Sequence, residues 1–186
     1  MGINIAIDGP AGAGKSTIAK KVAKELSFIY VDTGAMYRAM ALYLLEKGIS
    51  GDEKISEACH DADISIRYEN GEQQVILNGK NVTAFLRKEE VGNMASVSSA
   101  NPEVRAHLLK LQRNLAAENN VVMDGRDIGT TILPNAEVKI FLTASAKTRA
   151  SRRYLELTEK GEACDMDEIL KDIVDRDERE YEPRGF

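Results

Sequence analysis

Cysteine is nearly absent from the 186 residues: Cys59 and Cys164 stand alone, without a second cysteine or a histidine at metal-ligand spacing. His60 beside Cys59 is one pair and cannot close a metal site, so both thiols are expected to be reduced, in a cytoplasmic protein. No run of 18 apolar residues occurs, and no charged segment precedes the short apolar stretch at the N-terminus. A membrane span and a secretion signal are therefore not expected. Positive charge is also in deficit, with 25 Lys and Arg against 30 Asp and Glu. The formal charge of -5 disfavours a general nucleic-acid surface, so basic residues that matter must act locally. Internal repeats and low-complexity linkers are missing too. What is present is ordinary for a globular chain, 43% hydrophobic and 30% charged, and long enough to bury a core in one domain.

Along the chain, strands and helices alternate in the pattern of a parallel sheet covered on both faces. Ile3–Ile7 reads as a buried strand, Ser16–Leu26 as a helix and Phe28–Val31 as a second strand. Met36–Lys47 is an apolar helix stopped by Gly48. The rhythm then changes: from Ile64 to Val82 polarity nearly alternates and two Asn-Gly pairs occur, Asn70-Gly71 and Asn78-Gly79. That pattern predicts antiparallel hairpins, hence a small β insert spanning 63–84. Helices are predicted again at Val91–Ala100 and Glu103–Ala117, strands at Val121–Met123 and Val138–Leu142. Charged helices follow at Ala146–Lys160 and from Met166 to about Glu180. The class is α/β, a parallel sheet flanked by helices.

The stretch DGPAGAGKST, Asp8 to Thr17, sits between the first strand and the first helix. Gly9, Gly14, Lys15 and Ser16 fit G-x-x-x-x-G-K-[ST] in the strand–loop–helix setting that motif needs. Its backbone, from Gly9 through Pro10, Ala11, Gly12, Ala13 and Gly14, would cradle phosphate at the helix N-terminus, through the N–H groups of all but the proline, which has none. Lys15 would reach the β- and γ-phosphates, Ser16 would ligate Mg²⁺, and Thr17 would touch the α-phosphate. A glycine-rich turn that binds nothing is the plainer account.

Three further clusters face the same crevice, because ligands of open α/β sheets sit at the carboxyl ends of the strands. In Asp32-Thr-Gly-Ala-Met-Tyr-Arg38, Arg38 is an anion clamp for a second substrate; a helix cap at Thr33 and a solvated arginine would be the alternative. In Val121-Val-Met-Asp-Gly-Arg-Asp-Ile-Gly129, Asp124 supplies a carboxylate near the metal, and Arg126 and Asp127 bring opposite charges into the crevice. In Thr148-Arg-Ala-Ser-Arg-Arg-Tyr154, Arg149 and Arg153 share one helix face and could close over transferring phosphates. A merely solvated face is the competing account.

DGPAGAGKST, VDTGAMYR, EVGNMASVSSANPEVR and MDGRDIGT together resemble the bacterial cytidylate kinase family, from Ile3 to about Glu180. The resemblance implies a P-loop nucleoside-monophosphate kinase fold, a single domain over 1–186 with a helical lid at about 147–166. It implies transfer of the γ-phosphoryl of ATP to CMP or dCMP, with Mg²⁺, by a monomer in pyrimidine nucleotide salvage and recycling. By the same resemblance Ser96, Arg105 and Asp127 read the cytosine edge. Arg38 and Arg126 clamp the acceptor phosphate, and Arg176 reaches the acceptor nucleotide. Thr33 and Glu180 join the acceptor site; Arg149 joins the ATP site and Arg153 the catalytic set.

The chain departs from the family at its end. Glu180 stands where an aspartate is usual, Tyr181–Phe186 does not continue the pattern, and Arg184 is out of register with a further arginine. The family also adds another strand and a closing helix, so one sheet edge is expected to be open. Two other functions fit the motifs: a P-loop kinase for another small acceptor such as shikimate, and a nucleotide-binding module without turnover.

Overall fold

The computed structural model describes residues 2–181, with side chains through Glu178. Strand β1 (Asn4–Asp8) runs into the glycine loop and helix α1 (Lys15–Leu26). Strand β2 (Ile29–Asp32) leads directly into α2 (Thr33–Glu46), followed by the short α3 (Asp52–Ala58). Strands β3 (Ile64–Glu69), β4 (Glu72–Leu77) and β5 (Lys80–Asn81) come next. Helices α4 (Glu89–Ser98) and α5 (Pro102–Glu118) precede β6 (Val121–Gly125). A single π-helical turn, Ile128–Ile132, links β6 to β7 (Val138–Phe141). Helices α6 (Ala146–Glu159) and α7 (Met166–Tyr181) complete the described chain.

The main sheet has the order β2-β6-β1-β7, and every pair is parallel. Alternation along its strands sends side chains to two cores. Ala6, Val31, Val121 and Met123 pack on one face with Met36, Met40 and Leu44 of α2 and Val104 and Leu108 of α5. Ile5, Ile7 and Val122 pack on the other with Ala19 and Ala23 of α1. The carboxyl ends of β1, β2 and β6 thus lie between helix starts and loops, where the glycine loop and Asp124 emerge.

The small sheet is antiparallel, in the order β3-β4-β5. Its hairpins turn at Asn70-Gly71 and Asn78-Gly79, all four residues at positive φ between 48 and 79°. That geometry suits two-residue hairpin loops, and asparagine and glycine tolerate it best. Ile64, Val75 and Leu77 join the same core as Met36 and Leu44, so the insert is seated on α2. Two side chains pin it to the end of β2. Gln73 accepts from the Asp32 amide at 2.9 Å and donates to its carbonyl at 3.1 Å, and Tyr68 Oη donates to the Tyr30 carbonyl at 3.1 Å.

Coverage of the sheet is less complete than the βα rhythm predicts. All four residues of β7 are exposed, with Val138, Ile140 and Phe141 at 43, 40 and 56%. Helices α6 and α7 pack on each other rather than over β7, and no described strand pairs with its outer edge.

Candidate active site

A cleft of about 1210 Å³ opens along the carboxyl ends of β2 and β6, between the glycine loop and α1 on one side and α2, α4, α5 and the small sheet on the other. At the loop, Gly9 has φ 144°, and a Cβ there would sit 1.9 Å from the Leu142 carbonyl oxygen, so only glycine fits. Gly14 caps α1 in the left-handed conformation at φ 96° without a side-chain bond. The helix thereby begins with amides that no side chain of its cap occupies, at the positive end of its dipole. Lys15 is 6% exposed, and its Nζ donates to the Pro10 carbonyl at 2.8 Å, which folds it over the loop. Ala11, Gly12, Lys15 and Ser16 line the cleft.

Ser16 and Asp124, both predicted at the metal, come together across the sheet: the serine hydroxyl donates to the carboxylate at 2.8 Å. Tyr30 Oη donates to the other carboxylate oxygen at 3.1 Å. Burial, with the charge of Asp32 adding to it, pushes the Asp124 carboxyl up to about 6, against the hydroxyl bonds and Lys15. Burial likewise raises the Tyr30 phenol. Among the described residues no three His, Cys, Asp or Glu cluster as a closed metal cage. One carboxylate beside one hydroxyl is nevertheless a donor set that suits Mg²⁺, which takes one or two protein oxygens and completes its shell with phosphate and water.

Four guanidiniums gather on the acceptor side. Arg38, Arg87, Arg126 and Arg176 all line the cleft, and the charges of the other three act on Arg38. Burial, then this like charge, lowers the Arg38 value, while Asp32 opposes the change. Arg38, Arg126 and Arg176 are half-buried and Arg87 is exposed, and a phosphate dianion is the anion that matches the geometry of gathered guanidiniums. Arg87, just after the small lobe, is a member that motif reading missed.

Beside this cluster Arg105 is ion-paired with Asp127, and Ser96 lies on the same wall, its Oγ buried without a hydrogen-bond partner among the described residues. The three residues expected to read the base are thus brought together. Thr33 reaches the cleft wall, but its hydroxyl donates to the Asp124 carbonyl at 2.7 Å and fixes the end of β6. Gly125 makes that approach possible: a Cβ there would meet Thr33 Oγ1 at 2.7 Å and Ile128 Cδ1 at 2.6 Å.

The arginines of α6 part company. Arg149 is 4% exposed, and its guanidinium donates to the Ala144 carbonyl at 2.9 Å, to the Ala11 carbonyl at 3.1 Å and to Asp177 of α7. It props the glycine loop through the backbone. Arg152, not singled out by motif, does the same at Gly12 and Ala13, at 3.4 and 3.3 Å. Arg153 instead pairs with Glu156 on its own helix at 3.2 Å, 45% exposed, and does not line the cleft. This arrangement does not bring Arg153 to the phosphate loop, although helical spacing places it on the face of Arg149. Thr17 is exposed and is not part of the cleft wall. The side chain of Glu180 lies outside the described residues.

A family model and curated relatives decide what this chain belongs to. The family model described as cytidylate kinase matches residues 5–184. The chain belongs to the cytidylate kinase family. A cytidylate kinase of Caldicellulosiruptor bescii is 52% identical, over 97% of this chain and 83% of its own. One from Carboxydothermus hydrogenoformans is 49% identical, over 95 and 80%, and one from Listeria monocytogenes serotype 4a is 50% identical, over 96 and 80%. Among solved structures, a shikimate kinase from Acinetobacter baumannii in complex with shikimate aligns with 98% of this chain and 80% of its own, at 16% identity and a TM-score of 0.42. The family match runs past Glu180, where the motif comparison ends. The chain is a nucleoside-monophosphate kinase that phosphorylates CMP or dCMP from ATP.

Proposed function

We propose that the cleft carries out this transfer with the residues described above in the following roles. ATP lies with its phosphates in the loop of residues 9–14, on the backbone N–H groups of its non-proline residues, and its γ-phosphate beside Lys15. Ser16 and Asp124 hold Mg²⁺, which supplies positive charge and orientation to the donor phosphates. Arg38 and Arg126, with Arg87 and Arg176 around them, hold the acceptor phosphate in line. Transfer of a phosphoryl group asks little covalent chemistry of the protein, so positioning and a fixed positive field carry most of the rate.

The base sits against Ser96, Arg105 and Asp127. Cytosine offers an amino donor to the carboxylate, and a carbonyl and a ring nitrogen to the arginine and the hydroxyl. Uracil reverses donor and acceptor at that edge and leaves a buried carboxylate unmatched, at a cost of about 1–3 kcal/mol. No described helix is long and apolar enough to cross a membrane. The two free thiols suit the reducing cytoplasm.

The observation that carries this reading is the four-arginine cluster facing a phosphate loop across one cleft, with the Arg105–Asp127 pair beside it. An ADP-release assay with ATP, Mg²⁺ and CMP, dCMP, UMP, AMP or shikimate tests it. CMP and dCMP are expected to lead, and Asp127→Ala to reduce the CMP-to-UMP ratio of kcat/KM by about tenfold or more. A variant with an unchanged ratio would remove Asp127 from base recognition.

A further inference from the structure

Asp8 ends β1 immediately before the glycine loop, and its carboxylate bonds to a turn 120 positions further along the chain. It is 8% exposed, and each oxygen accepts one backbone amide: Oδ1 from Ile128 at 2.7 Å and Oδ2 from Gly129 at 2.8 Å. Those amides open the π-turn that follows Arg126-Asp127. On the other side of the same peptide the Asp127 carbonyl accepts from the Thr131 and Ile132 amides at 2.9 and 3.2 Å. The plane between Asp127 and Ile128 is therefore held at both its N–H and its C=O. Such restraint is needed because Asp127 has φ −146° and ψ 32°, neither helix nor strand. The fit at the second amide is close, since a Cβ on Gly129 would lie 3.3 Å from Asp8 Oδ2 and 3.2 Å from the Lys139 side chain. A buried negative charge next to a phosphate loop works against phosphate binding, so its presence calls for another use. Two charge-assisted bonds to the turn that carries the base-reading carboxylate provide one.

We propose that Asp8 is a positioning residue for the acceptor nucleotide: by clamping the Ile128 and Gly129 amides it fixes where the Asp127 carboxylate and the Arg126 guanidinium point. The strand that carries the donor-phosphate loop and the turn that recognises the acceptor are thereby one rigid unit. The inference rests on the reading that Asp127 meets the base.

Asp8→Asn tests it with nearly unchanged shape. One half of the amide is a donor facing an N–H, so one of the two bonds is lost while the other survives. The expected result is a KM for CMP raised by about tenfold, a CMP-to-UMP ratio lowered to a similar degree, and a KM for ATP within about twofold of the parent. A general loosening of the fold would raise both KM values together, and that outcome, or no change in either, overturns the proposal. Asp127→Ala is measured in parallel. If it leaves the ratio intact, the base-reading role falls and this inference with it. If it collapses the ratio while Asp8→Asn behaves as the parent, only the role of Asp8 is lost. Should Asp8→Asn fail to fold, amide exchange in the unmodified enzyme decides: slow exchange at Ile128 and Gly129 without nucleotide is expected, and exchange at the rate of an open loop refutes the clamp.

Discussion

Asp124 is held in a state the fold disfavours, and replacing it should separate stability from activity. In the unfolded chain the carboxyl ionises near 3.8; in the folded enzyme burial and the Asp32 charge move that to about 6. The charged form is therefore about 3 kcal/mol less stable in the folded chain at pH 7. The sign follows from the order of proton release. As pH rises from about 4 to about 6 the unfolded chain loses this proton first, so the native protein loses stability across that window. Asp124→Asn removes the charge and keeps an acceptor for one hydroxyl, while the other, Ser16 or Tyr30, can rotate to accept from the new amide. Losing a charge-assisted bond offsets about 1.5–2 kcal/mol, which leaves a gain of about 1 kcal/mol at pH 7. For a chain of this size that is roughly 2–4 °C in Tm. Thermal unfolding at pH 7 and pH 4 is the assay: the variant should melt higher at pH 7, and the gap should close by pH 4. Its turnover should fall by at least about a hundredfold, because the carboxylate at the metal is gone. Equal destabilisation at both pH values, or full activity, would refute the account of a strained functional carboxylate.

Other expected outcomes rest on single contacts. Lys15→Ala should lower kcat by about a thousandfold or more while Tm moves only a few degrees; near-parental turnover would take the lysine out of the mechanism. Gly125→Ala inserts a methyl between Thr33 and Ile128 at under 3 Å and should cost about 1–3 kcal/mol, read as a lowered urea midpoint. Asn101→Ala removes the cap of α5, whose Oδ1 accepts from Glu103 and Val104 while its amide ties α5 to Asp52 and Ser56. A loss of about 2 kcal/mol in chemical denaturation is expected there, and a loss below about 0.5 kcal/mol would mean water replaces the cap.

Sequence reasoning reached furthest where the governing interactions are local. The two Asn-Gly hairpins, the glycine loop and the alternation of strands and helices follow from neighbouring residues. Helix α2 starts three positions earlier than its apolar run suggests, because Asp32 caps it by accepting from the Ala35 amide at 3.0 Å. Helix α3 went unread: Ile55 is its one buried residue, too little for a visible periodicity. Site residues divide in the same way. Lys15, Ser16, Asp124 and Asp127 belong to motifs, whereas Asp8 meets its partners 120 positions away and Arg149 is captured by Asp177 on another helix. Helical spacing put Arg149 and Arg153 on one face, but only the first finds a buried slot beneath the loop, and that slot is built by tertiary packing. Arg87 carries no motif at all and is recognisable only by the three arginines it joins.

The open strand β7 sets how the protein behaves in company. Among the described residues no strand pairs with its outer edge, three of its apolar side chains are exposed, and such an edge is a template for strand addition by any chain with a free edge of its own. Lys139 is the one charge on the strand, so its repulsion of a second copy weakens as salt rises. In a concentrated, high-salt solution the solubility of the enzyme is thus expected to depend on a strand that borders β1 and the glycine loop it carries.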